Sequence, residues 1–537
     1  MIDWPGLGVA ALWIAGLALV LFTLGQASWQ GRIQRKRVRA VWSPRHSLLL
    51  DIGLFGVAVA ILLTARARWE TALSGACALA FAVQIGLDIR RVRRAQDSFA
   101  APELNEPAAS RPRKPIRRIA WNLQRAELPV TLILVVPLVF VTRFAPHALG
   151  VAVLLWIVRW VALGHPTRPT PVDGAILLLL FQAGLSLGVT AAFDLTWVAV
   201  NQLLAGVLLF YAVVNWVDRP GRLHIAIAML LLLGAALAAV PLIARIAWSE
   251  GKFLRIPERV LALKPILSES VNANVLGGSL VLILPLALAC TSSAAWQGAR
   301  GAAGVFAQAL AGLIAALMTA TLVLTQSRGA LVALVLGLAL FALLRFRWGR
   351  YVLPALIVLA CIGVVLAGPA QVYGRVVTPE VRDVFERRIE VWSRAIYAAQ
   401  DFSFTGIGIG TFVKVIPILY PYFLHGPDAQ VGHAHNLFLQ VAADLGLPGL
   451  IAYLGFLMGG IAAAWRLWQI RSAAGWSTLG AAFLASYVVL IAHGLVDAVT
   501  WGTKPALVQW MIAGLVFATL GVAAHEVHDG MSASAGG

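Results

Sequence analysis

Charged side chains are scarce in this 537-residue sequence, where Asp, Glu, Lys and Arg together make up 12%, about half the share found in soluble domains. That is too little polar surface to cover a water-soluble globule of this length, and the mean hydropathy of +0.83 excludes one in the same way. Cysteine is also scarce. Cys77, Cys290 and Cys361 fall inside apolar runs with no CxxC or Cys/His spacing, which excludes a disulfide framework and a cysteine zinc site. No internal repeat is visible, and no low-complexity tract beyond the Ser/Ala/Gly tail at Met531–Gly537. The N-terminus Met1-Ile2-Asp3-Trp4 lacks the basic start of a cleavable signal, so the first apolar run is expected to be retained.

Hydrophobic residues, by contrast, make up 60% of the chain. Apolar runs recur near 5–26, 47–66, 70–88, 127–143, 147–163, 174–190, 194–214, 223–243, 274–291, 304–324, 329–345, 350–369, 448–466, 477–496 and 505–523. Each is long enough to cross a ~30 Å hydrocarbon core as a helix, the conformation that satisfies every backbone polar group without water. The expected fold is therefore all-α, a polytopic transmembrane bundle of about 15 spans, about 12 of them in its core, with two larger segments outside.

The formal charge of +18 would suggest nucleic acid in a soluble protein, but these cations occupy short links between apolar spans, where they set orientation instead. The links 27–46 and 89–126 are the most basic and are expected in the cytoplasm, which also places Arg219–Arg222, Arg345–Arg350 and Arg466–Arg471 there. The N-terminus is then outside and the C-terminus inside. The organisation reads as three leading helices over 1–95, a basic cytoplasmic linker at 96–126, a membrane core over 127–525 and a cytoplasmic tail at 526–537. Membrane lipids are expected partners, and nucleic acid is not.

Two external segments, 244–273 and 370–447, are long and basic, although topogenesis disfavours cations on that side. Arg255, Arg259 and Arg388 are candidates for gripping an anionic, phosphorylated substrate, because guanidinium offers a permanent charge and a planar donor fork. Arg328, in Thr325-Gln326-Ser327-Arg328-Gly329-Ala330, is pinched between two apolar runs, where an ionisable residue is costly unless it serves a function or snorkels. Gly432-His433-Ala434-His435-Asn436 puts two imidazoles at the start of an apolar stretch, suited to accepting a proton near neutral pH. A metal site there would need a third ligand, and no Glu or third His lies at a usual interval; an N-cap role is the structural alternative. No metal and no cofactor are expected.

Four stretches together resemble the O-antigen ligase and O-antigen polymerase superfamily of bacterial membrane glycosyltransferases. They are Val271-Asn272-Ala273-Asn274-Val275-Leu276-Gly277-Gly278, Thr325–Ala330, Arg388-Ile389-Glu390-Val391-Trp392 running on to Thr405–Phe412, and His433–Gln440 continuing to Asp444–Gly449. The resemblance covers roughly 125–525 and leaves the three leading helices outside it. It implies transfer of a glycan from an undecaprenyl-pyrophosphate carrier to an acceptor hydroxyl at the periplasmic face of the inner membrane, without a metal ion.

It further implies two essential arginines and one histidine, which correspond to Arg259, Arg328 and His435, with Arg255 and His433 as the respective alternatives. Arg388, Asn272, Asn274 and Asn436 then join Arg255 and His433 as candidate substrate contacts. The acceptor is expected to be lipid A-core oligosaccharide, as in a ligase; a lipid-linked glycan, as in a polymerase, or a protein hydroxyl are the alternatives. Displacement by the hydroxyl without a covalent intermediate would invert the anomeric configuration. The rival from another class is an anionic-solute transporter, for which Asp194, His493 and Asp497 could be read as a relay, although Asp497 with Lys504 fits an external loop equally well.

Overall fold

A computed structural model describes residues 2–34, 37–65, 67–95, 119–120, 122–135, 144–247, 267–292, 301–368, 371, 379–426, 430–470 and 475–535. The principal helices are α1 (Trp4–Ile33), α2 (Pro44–Thr64), α3 (Arg68–Ala95), α4 (Ala145–Leu163), α5 (Asp173–Val189), α6 (Phe193–Trp216), α7 (Pro220–Ala238) and α8 (Ala273–Ala289). They continue with α9 (Ala302–Thr325), α10 (Arg328–Arg345), α11 (Gly349–Ala367), α12 (Pro379–Asp401), α13 (Phe412–Leu419), α14 (Leu437–Gln469), α15 (Trp476–Gly494) and α16 (Ala506–Ala535). Among the described residues, 11 helices are long and apolar enough to cross a membrane, and Asp173–Val189 and Ala273–Ala289 are shorter apolar helices. The protein is an all-α, multi-pass membrane bundle, as its apolar runs require. The expected run 127–143 is described only as far as Val135, and most of the linker 96–126 lies outside the described residues.

Burial grades the spans. In the apolar windows of α6, α15 and α16, 78% of residues are buried inside the protein, against 17% for α2, α3 and α4, so the former make the centre and the latter face lipid. Phe210 of α6 meets Phe456, Trp510 and Phe517 edge-on at the centre, with ring centroids 5.9–6.3 Å apart, a geometry the ring quadrupoles favour. The leading helices are tied to this core by Arg32 to Asp173 at 3.0 Å, Trp29 Nε1 to the Pro169 carbonyl at 3.0 Å and Arg466 Nη2 to Gln26 Oε1 at 2.8 Å.

The segments 244–273 and 370–447 carry regular structure that apolar runs alone do not reveal. Within 370–447, α12 occupies 379–401, α13 follows, and a further helical stretch begins at Leu437, ahead of the run expected from 448. Asn436, directly after the second histidine, caps the first half of α14, and Gly446, at φ 69° and ψ −174°, is non-helical, so α14 is two helices meeting at a kink and the second restarts just past Gly446, beside Pro448, where the sequence places it. The segment 244–273 contributes a two-stranded parallel pair, β1 (Ala244–Ala247) with β2 (Leu267–Asn272). Helix α16 runs to Ala535, and its stretch long and apolar enough to cross a membrane is Ala506–Glu526.

Candidate active site

Helix α14 starts from a tight turn that carries the two histidines. Asn436 Oδ1 accepts from the Phe438 and Leu439 N–H groups, both at 3.0 Å, satisfying donors that the first helical turn leaves without partners. Its Nδ2 donates to the Leu495 carbonyl at 3.0 Å. The amide of Asn436 therefore caps a helix and ties it to the loop after α15. Asn272 has the corresponding role at α8, accepting from the N–H groups of Asn274 and Val275 at 2.8 and 3.3 Å. Asn274 is thus placed in the first turn of that helix, with its backbone engaged by the cap.

The loop after α15 holds the third component. Asp497 is almost fully buried, and its Oδ1 lies 3.6 Å from His433 Nε2 and 3.8 Å from His435 Nδ1. Burial alone would raise this carboxyl, but the imidazoles of His435, His433 and His493 outweigh it and hold Asp497 below the usual carboxylate range. Burial also pushes the His433 imidazolium down to about 4, against the pull of Asp497. His433 is therefore neutral at neutral pH.

The tautomer of His433 follows from one hydrogen bond. The backbone N–H of His435 donates to His433 Nδ1 at 3.2 Å, which leaves the ring proton on Nε2, directed at Asp497. His435 itself occupies left-handed backbone at φ 47°, a conformation that turns its ring back over His433, with centroids 4.3 Å apart. Its Nδ1 is buried towards Asp497 while a third of the side chain stays exposed. An Nδ1–H facing the carboxylate leaves Nε2, on the other edge of the ring, as a base.

Two helices bring the arginines to the same loop. Arg388, on α12, donates from Nη1 to the Val496 carbonyl at 2.7 Å, and Trp392 one turn on donates to the His435 carbonyl at 3.4 Å. Arg328 is the first residue of α10, with its side chain exposed. Its neighbour Gly329 packs so closely that a Cβ would lie 2.8 Å from Val496 Cγ2, and a Cβ at Gly278 of α8 would lie 2.6 Å from the His493 ring. Only glycine permits those approaches. The contacts with Leu495, Val496 and Asp497 thus gather Arg328, Arg388, His433, His435 and Asn436 at one end of the bundle. Successive helices alternate in direction, so the basic links at Arg219–Arg222 and Arg345–Gly349 lie at the opposite end. Arg255 and Arg259 lie outside the described residues.

Sequence reasoning missed the place of Asp497, which is buried against two histidines 62 and 64 residues earlier instead of standing in a solvated loop with Lys504. No Glu or third His joins the histidines at a usual interval, but Asp497 comes to them through the fold: one ligand atom from each of His433, His435 and Asp497 lies within 4.8 Å of the others. A cation bound there through His433 Nε2 would require the ring proton to move to Nδ1, against the His435 N–H that already points at that nitrogen.

No curated protein matches the chain. Residues 313–454, which include Arg328, Arg388, His433 and His435, match the family model described as O-antigen ligase, the superfamily that the sequence motifs resemble.

Proposed function

We propose that the protein is a glycosyltransferase of the bacterial inner membrane that moves a glycan from undecaprenyl pyrophosphate to lipid A-core oligosaccharide at the periplasmic face, as an O-antigen ligase. The observation that carries this reading is the His435–Asp497 pair beside Arg328, at the start of α10, and Arg388, within α12, since acid–base and anion-binding groups meet there at one end of the bundle. The N-terminus is periplasmic and the C-terminus cytoplasmic.

The lipid diphosphate is already a good leaving group, so the protein has to neutralise its charge, hold the acceptor and take one proton. Arg328 adds its guanidinium to the positive end of the α10 dipole, where phosphate oxygens are stabilised. Arg388 supports the same region, and Arg259, or Arg255 in its place, supplies the second essential arginine. The acceptor oxygen attacks the anomeric carbon as the bond to the diphosphate breaks. Its proton passes to His435 Nε2, and Asp497 stabilises the imidazolium that forms. No metal takes part, and attack from the face opposite the leaving group inverts the anomeric carbon. A transporter reading loses its relay, because His493 and Asp497 belong to this cluster at one membrane level.

The test is the envelope polysaccharide of a deletion strain. Full-length polymer accumulating on its lipid carrier, with lipid A-core left bare, is the expected outcome. Single repeat units accumulating instead would make the protein a polymerase, and unmodified protein acceptors with normal lipopolysaccharide would make it a protein glycosyltransferase.

A further inference from the structure

Asp444 is buried within α14 at 1% exposure, yet its hydrogen-bond partners are all neutral. Oδ1 accepts from Gln440 Nε2 at 2.9 Å, Oδ2 accepts from Trp501 Nε1 at 2.9 Å, and the Gly410 backbone donates as well. A carboxylate so far from water costs several kcal/mol unless its surroundings compensate, and a well-packed apolar residue would serve packing better.

What the carboxylate does is join segments. Gln440 Oε1 accepts the backbone N–H of Ala434, between the two histidines, at 2.6 Å. Trp501 lies in the same loop as Asp497, between α15 and α16, and Gly410 belongs to the glycine turn between α12 and α13. One path therefore runs from Ala434 through Gln440 and Asp444 to Trp501, so that the base and its carboxylate partner, on separate parts of the chain, are referenced to a single side chain.

We infer that Asp444 is a positioning residue that fixes His435 relative to Asp497 through Gln440 and Trp501; this rests on His435 being the base. An asparagine cannot replace it, because one of its two side-chain polar atoms is a donor and would face either Gln440 Nε2 or Trp501 Nε1, both donors themselves. Trp501→Phe removes one bond and keeps an aromatic ring at the position, with the pyrrole half of the indole lost.

The experiment measures two quantities for Asp444→Asn and Trp501→Phe in the full chain. The first is transfer of the endogenous lipid-linked glycan in membranes of the parent strain carrying each variant in place of the wild-type chain. The second is the rate at which diethylpyrocarbonate modifies His435, read by peptide mass spectrometry in the absence of substrate. Both variants should lose transfer about 100-fold, the scale of a 1 Å misplacement, and should change the His435 modification rate. In a His435→Ala background, Asp444→Asn should cost nothing further.

Transfer within about twofold of wild type for both variants, or a full additional loss in the His435→Ala background, would overturn the inference. Should His435→Ala leave transfer intact, the base assignment fails by itself, while a shifted modification rate still supports Asp444 holding the turn.

Discussion

Replacing His433 by glutamine keeps an N–H donor for Asp497, whereas the same change at His435 removes a titratable base. We expect His433→Gln to retain transfer within about tenfold and His435→Gln to lose about 100- to 10,000-fold, the usual range for a general base; comparable losses at both would give them one joint role. Arg328→Ala should abolish transfer while the protein still inserts, and Arg328→Lys should recover little of it, since lysine keeps the charge but not the planar fork. A lysine variant near wild-type rate would reduce Arg328 to an electrostatic presence. The residue types of this site were legible in the sequence, because imidazoles and guanidiniums in an apolar chain stand out. Asp497 was not. Its significance depends on burial against residues more than 60 positions away, which no local spacing encodes.

Helix α12 shows how much of an external segment can escape a reading based on apolar runs. Its apolar residues alternate with charge, so it has no span signature, yet it delivers Arg388 and Trp392 to the site. It is anchored by Glu390, whose buried carboxylate accepts from the Phe423 and Leu424 N–H groups at 2.5 and 3.1 Å and pairs with His425 Nδ1 at 3.0 Å. Burial would raise this carboxyl, but the bond to His425 and the two backbone donors hold it below the ordinary glutamate value. A depressed carboxyl contributes stability that is present above its unfolded value and lost as pH falls through its folded one. Acidification from about pH 4.5 downward should therefore release the 420–426 turn. Glu390→Gln should release it at pH 7, seen as cleavage by chymotrypsin at Phe423 or Leu424 about tenfold faster. Unchanged cleavage would mean that packing alone holds the turn.

For the molecule as a whole, the apolar runs made the bundle legible, while helix ends were not, because caps such as Asn436 and kinks such as Gly446 are decided by local hydrogen bonds and backbone angles. Orientation is testable at this scale. With Cys77, Cys290 and Cys361 changed to serine, single cysteines at positions 328 and 383 should react with an impermeant maleimide in intact spheroplasts, and one at 347 only after permeabilisation. Position 328 reacting only with 347 would invert the topology, and 328 and 383 differing in side would dismantle the site.

The stretch matched by the family model ends at residue 454, short of Leu495, Val496 and Asp497. Two of those three are held through their main-chain oxygens, Leu495 by Asn436 and Val496 by Arg388. Any amino acid brings an identical carbonyl, so the junction tolerates side-chain drift while forbidding a one-residue insertion. Comparison by letters alone would pass over it, and a single-residue deletion between His493 and Asp497 should prove more harmful than most substitutions at Leu495.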